Sequence, residues 1–206
     1  MARFTGPKGK IVRRFGMNIF GNAKLDNLLK KKAHGPGQHG QSRGRKKTSE
    51  YAIQLMEKQK VKLMYGVLEK QFRRYYKNAS QAKGITGHNL MTMLEGRLDN
   101  TVYRLGFGNT RDFARQLCRH RHILVNDRIV DIPSFQCKPG DTISVKEKSR
   151  KIPGIHDSLK NTSDQHMVPW LELDKANLAG TFKDRPNRVD IPVEVNETLI
   201  VELYSK

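Results

Sequence analysis

From Leu94 to Val145 the chain passes directly from a basic helical stripe into a short strand-rich unit. This order constrains the fold more than any other stretch, because the hydrophobic period must change from about 3.6 to 2 within one small piece. Thr110 is a good N-cap and Asp112 lies in the first turn, so a helix opens there and ends near His120. Ile123–Val125 and Arg128–Val130 flank Asn126-Asp127, a pair suited to a tight hairpin turn. Pro139-Gly140-Asp141 marks a further turn before the strand Thr142–Val145. The piece reads as α+β.

Successive helical residues advance by about 100°. Arg111, Arg115 and Arg119 therefore share one narrow sector, while Phe113, Ala114 and Leu117 fall on the opposite, core-facing side. Gln116 and His120 flank the two faces, and Arg121, His122 and Arg128 extend the patch onto the turn and hairpin. Like charges at i,i+4 repel, so the stripe calls for an anion, and guanidinium suits bidentate phosphate contact.

Charge supports a polyanionic partner. The 206 residues hold 39 Lys+Arg against 20 Asp+Glu, a formal net charge of +19. Residues 1–50 carry 13 basic residues and two acids, whereas residues 151–206 carry seven and nine, so the partner meets the first three quarters. Self-repulsion on this scale is relieved by nucleic acid before any other partner. A membrane is not expected: no apolar stretch is long enough to span a bilayer, and the basic N-terminus lacks the apolar run of a secretory signal. Two cysteines, Cys118 and Cys137, give no disulfide framework and suit a reducing cytoplasm.

Elsewhere, residues 1–47 contain eight glycines and two prolines, with Asn22–Lys32 as the one helical stretch, where Leu25, Leu28 and Leu29 share a face. Such composition buries too little apolar area to fold alone. It reads as a basic, flexible arm that orders on RNA, with HGPGQHG (His34–Gly40) supplying turns and donors. Val61, Met64, Leu68, Phe72 and Tyr75 recur at steps of three and four, which marks one helix over residues 49–77. A second helix is expected from His88 to Tyr103, with Leu90, Leu94, Leu98 and Val102 on one face. Residues 151–168 read as polar loop with a helix near Asp157, and Val168–Leu173 as a strand. The closing NETLIVELYSK reads as a helix capped by Asn196 that packs back on the helices of residues 50–93.

The run TRDFARQLCRHRHILVNDRIVDIPSFQCKPGDTISV resembles the RNA-binding module named after ribosomal small-subunit protein S-four. The likeness extends to MARFTGPKGKIVRR at the start, GPGQHG at Gly35–Gly40, EKQKVKLMYGVLEKQFRRYY at Glu57–Tyr76, LEGRLDNTVYRLGFG at Leu94–Gly108 and NETLIVELYSK at the end. Nearly the whole chain is similar to the bacterial S-four family, least so over residues 150–190. The resemblance implies a primary binder of 16S-type small-subunit rRNA that acts early in assembly, at a multi-helix junction in the body of the subunit. It also implies a neighbourhood with the fifth small-subunit protein and with messenger RNA where it enters the subunit, and a part in decoding accuracy. Some members carry a four-cysteine zinc site in the first forty or so residues. With no cysteine before Cys118 this chain reads as the zinc-free form.

Two other readings compete. Gly96-Arg97-Leu98-Asp99 followed by Thr101 resembles the catalytic loop of RNA pseudouridine synthases, some of which carry the same module. In those enzymes the module precedes a large catalytic domain, whereas here Asp99 comes just before the module and no room is left for such a domain. A free-standing RNA-binding stress or rescue factor built on the module would need neither the arm nor the helices of residues 50–93. None of the seven histidines (His34, His39, His88, His120, His122, His156, His166) shows a paired metal spacing, and the GxG at Gly106–Gly108 follows a helix rather than a strand.

The expected architecture is thus α+β: a mainly helical domain (50–93 with 174–206), an inserted RNA-binding module (94–173) and the arm (1–49). No catalytic residue, metal or cofactor is expected. The candidate RNA contacts are Arg3, Lys8, Arg13, Arg14, His34, Gln38, His39 and Arg43 in the arm. Lys58, Lys60, Lys62 and Arg73 join them from the first long helix. Arg111, Arg115, Gln116, Arg119, His120, Arg121, Asn126 and Arg128 complete the set in the module. Recognition is expected to rest on shape, phosphates and 2′-hydroxyls more than on bases.

Overall fold

The computed structural model describes residues 4–41, 48–161 and 168–205. Its packing forms two units, Met1–Arg74 with Glu194–Lys206, and Tyr75–Val193. The class is α+β, with helices in both units and a five-stranded antiparallel sheet in the second. Residues 75–93 and 174–193, grouped above with the helical domain, pack within the second unit.

In the first unit, α1 (Lys8–Phe15) forms where the sequence promises only arm. It buries Val12 and stops at Gly16, whose φ of 68° is the left-handed conformation that ends a helix. The guanidinium of Arg13 donates to the carbonyls of His34 (3.0 Å) and Gly35 (2.8 Å), so one side chain ties α1 to the glycine turn. That clamp, with Val12 and Ile19 buried, supplies the order that composition alone does not indicate. α2 (Ala23–Lys31) opens at Asn22, whose Oδ1 accepts from the Lys24 amide.

The single helix expected over 49–77 is two. α3 (Glu50–Met64) is capped by Ser49 and closes where the amides of Gly66 and Val67 donate to the carbonyls of Leu63 and Lys62. This pair of bonds is a Schellman ending, with Gly66 at φ 62°. α4 (Glu69–Gln81) restarts and buries Phe72, Tyr75 and Ala79. α9 (Glu197–Ser205) begins beside Asn196, whose Oδ1 accepts from Thr198, and lies along α3. Gln54 donates to Glu202 (2.9 Å), and the Phe72 and Tyr204 rings stack at 6.3 Å.

In the second unit the helix expected from 88 to 103 is also interrupted. α5 (Thr86–Glu95) and α6 (Leu98–Arg104) meet at Gly96-Arg97. The amides of Leu98 and Asp99 donate to the carbonyls of Phe135 and Pro133, and Cys137 donates back to Gly96, so a distant loop satisfies the orphan donors of α6. α7 (Arg111–Arg119) follows after a close approach of Gly108, where a Cβ would sit 2.9 Å from the amide nitrogen of Ala114. β1 (Ile123–Val125) and β2 (Arg128–Ile129) form the hairpin, with Asn126 and Asp127 at φ 49° and 62°, as a two-residue turn of this hand requires.

β3 (Thr142–Val145), β4 (Leu171–Asp174) and β5 (Ala179–Phe182) complete the order β2-β1-β3-β5-β4. The sequence does not announce β5 because Gly180 reads as a breaker. The strand needs that glycine, since a Cβ there would run into Leu105. α8 (Pro153–Asn161) occupies the region of Asp157.

Candidate nucleic-acid interface

α7 is built as its sequence dictates. Thr110 Oγ1 accepts from the Phe113 amide at 3.3 Å, Asp112 faces the positive end, and Ala114, Leu117 and Cys118 are buried. Gln116, Arg119 and His120 are exposed, and the exposed Arg121 and Arg128 continue the surface onto the hairpin. Arg121 is shared with Asp131 at 3.0 Å, an exposed pair that salt readily screens.

Arg115 departs from expectation. It is only 6% exposed and its guanidinium donates to Asp99 Oδ2 at 2.8 Å. Asp99 also takes a two-pronged bond from Arg97 (2.9 and 2.6 Å), and Arg97 reaches the Tyr75 hydroxyl at 2.9 Å. Arg97 is fully buried. Desolvation alone would lower its pKa, and the Asp99 carboxylate outweighs that and raises it. The repulsion that seemed to require an outside anion is thus relieved by a carboxylate of the chain itself, and Arg115, expected as a phosphate contact, anchors α7 through that pair.

Arg111 is half-anchored. Its Nε donates to Asn100 Oδ1 at 2.9 Å and its guanidinium lies 4.5 Å from the Tyr103 ring centre. Asn100 in turn donates to Glu95 (2.6 Å), which pairs with Arg104 (2.7 Å). Among the described residues no buried side-chain polar atom lacks a partner, so this network is closed. Asp99, Asn100 and Tyr103 thus set the pose of α7. From the sequence Asp99 stands out only as a rival catalytic carboxylate, and the signal for its structural role is the acid and amide of GRLDN placed just ahead of an arginine-rich helix.

The cations of α3 are largely spoken for. Lys58 is 8% exposed and bonded to Glu69 (2.8 Å), Lys62 shares that carboxylate (3.0 Å), and Lys60 pairs with Glu57 (3.2 Å). They brace α3 against α4 and α9, with Lys58 also 5.5 Å from the Tyr204 ring centre. These three, expected as phosphate contacts, form internal pairs, and of that group Arg73 is the exposed one.

In the first forty residues, Arg14, Gln38 and His39 are exposed and His34 is half-buried. Lys8 lies over the Phe20 ring at 4.9 Å, and Arg13 is committed to the glycine turn. That turn is tight: a Cβ at Gly40 would run into the Gly35 carbonyl. Asn126 ties the hairpin turn to the start of β3, donating to Asp141 and accepting from the Thr142 amide. Arg3 and Arg43 lie outside the described residues.

The mooted catalytic carboxylate, Asp99, is 4% exposed between two guanidiniums, which leaves it no path to a base. No helix of the described residues is long and apolar enough to cross a membrane.

Comparison with known proteins shows the family of the chain. Residues 3–95 match the family described as ribosomal protein S4/S9 N-terminal domain, and residues 96–143 match the S4 domain. Curated relatives named small ribosomal subunit protein uS4 are similar along their full length. Those from Hahella chejuensis and Parabacteroides distasonis are each 54% identical, with 100% of both chains covered. That from Porphyromonas gingivalis is 53% identical over the same share.

Proposed function

Since the chain belongs to the family of small ribosomal subunit protein uS4, we propose that it is a structural constituent of the small subunit and binds 16S-type rRNA directly. It acts early, nucleating assembly of the subunit body, and works without catalysis. The observation that carries this reading is α7: the Arg115–Asp99 pair locks it, and the exposed part of its surface presents Gln116, Arg119 and His120 beside Arg121 and Arg128. A locked helix holds its cations in register with a phosphate track instead of spending binding energy on ordering them. Arg14, Gln38, His39 and Arg73 add contacts from outside the module.

Further partners belong to the same reading. The fifth small-subunit protein is a neighbour, messenger RNA passes close by where it enters the subunit, and the protein contributes to translational accuracy. The free-standing stress or rescue factor is not favoured, because full-length relatives share the segments such a factor would not need.

The test is association with rRNA stripped of protein, followed by sedimentation of reconstituted particles in high salt. An integral subunit protein stays with the particle. A protein that washes off completely at salt concentrations retaining other primary binders is not one.

A further inference from the structure

A second basic segment lies next to the end of α7. Residues 146–151 read Lys-Glu-Lys-Ser-Arg-Lys, four cations with Glu147 as the single acid. Lys148, Arg150 and Lys151 are exposed and form no ion pair with another described residue. Such a run on the surface costs self-repulsion that no ion pair among the described residues relieves.

Its position is fixed by the sheet. β1 and β3 pair with Ile123 opposite Val145, so the residues just outside, His122 and Lys146, are neighbours, and the Lys146 amide donates to the His122 carbonyl at 2.8 Å. The chain then closes a tight turn, with the amides of Ser149 and Arg150 donating to the carbonyls of Lys146 and Glu147. Ser149 is buried and its hydroxyl meets His122 Nδ1 at 2.8 Å. His122 packs edgewise on His120 at 6.0 Å. Burial, then His120 and Lys146, hold the His122 pKa below its ordinary value, so it serves as a neutral post rather than as another charge. On the far side His156 Nε2 lies 2.6 Å from the Arg150 carbonyl, which pins the turn from α8.

We infer that the turn of residues 146–151 is a second phosphate-binding surface, continuous with the end of α7 through the His120–His122–Ser149 contact, and that it grips the sugar-phosphate backbone of the same structured RNA. The inference rests on the rRNA-binding reading given above. Arg119 and the 148–151 cations then form two rows of charge on one rigid frame, the arrangement that reads a double helix by shape. No base contact is required of either row.

The experiment measures binding of the full-length chain to a protein-free small-subunit rRNA transcript across a range of KCl concentrations. Each lost phosphate contact makes the slope of log Kobs against log salt shallower by about 0.9. The K148A/R150A/K151A variant is expected to flatten the slope by about 2 to 3, with unchanged thermal unfolding, and K148R/K151R to retain the wild-type slope. An unchanged slope in the triple variant, with Arg119→Ala flattening it in the same series, overturns the inference and leaves the α7 reading standing. Equal slopes for wild type and every variant, on this transcript and on an unrelated duplex, overturn both.

Discussion

Arg115 and Asp99, 16 residues apart in sequence, form a buried ion pair at 2.8 Å, and the same carboxylate takes a fork from Arg97. The helix proposed to meet RNA is therefore fastened by a buried charge of its own. Removing one member of a buried pair leaves the rest uncompensated, which typically costs about 3–5 kcal/mol. Asp99→Ala, which strands two guanidiniums, is expected to lose stability on that scale in chemical denaturation. Replacing Arg97, Asp99 and Arg115 together by apolar residues of similar volume should lose far less.

Arg115 and Arg119 differ only by position on one helix, and their substitutions should separate cleanly. Arg119→Ala is expected to leave the denaturation midpoint in place and to flatten the salt slope of rRNA binding by about 0.9. Arg115→Ala should lower the midpoint and weaken binding with the slope nearly kept. Paired denaturation and binding titrations read both. Equal slopes for the two variants would place Arg115 on the RNA after all.

Acid should act on the first unit through Glu69. Burial alone would raise its pKa, but hydrogen bonds from Lys58, Lys62 and Tyr204 outweigh this and bring it from 4.5 to about 2. Because the folded value lies below the unfolded one, the stabilisation is fully present above about pH 4.5 and is lost as pH falls toward 2. Stability followed from pH 6 to pH 2 should decline more in the wild type than in Glu69→Gln, which has already forfeited the term. Parallel curves over that range would rule out the carboxylate as the sensor.

The two thiols should be chemically silent in the folded protein. Burial, the largest cause, pushes Cys137 up to about 12 and raises Cys118 as well. At pH 8 an aromatic disulfide reagent is expected to react with neither at an appreciable rate, and with two per chain in denaturant. Rapid native labelling of either would show that the helix–sheet packing opens readily.

The class of the fold and most helices were legible because their apolar residues keep a strict period. The hairpin was legible because Asn126-Asp127 can adopt positive φ. What escaped depends on partners distant in sequence. α1 is short and rich in charge, and its order comes from Arg13 reaching residues 34 and 35. Gly180 suggests a break in a strand until Leu105 is seen to occupy the missing Cβ volume. Gly66 interrupts an apolar stripe whose period runs on across it, so periodicity joined what a Schellman turn divides. The charged site divides in the same way. Composition located the cations, but which of them an internal carboxylate holds is decided by Asp99 and Glu69, which no helical wheel of α7 or α3 includes.

The sheet order carries a timetable. β3 lies between β1, complete by residue 125, and β5, which ends at residue 182. As the chain leaves its own ribosome from the N-terminus, the ions that fasten α7 are all present by residue 115, whereas one edge of β3 waits for nearly forty further residues after Val145. An unpaired edge invites foreign strands. The exposed cations Lys148, Arg150 and Lys151 follow directly on the end of β3, and like charge beside an unpaired edge disfavours pairing with another copy of the chain.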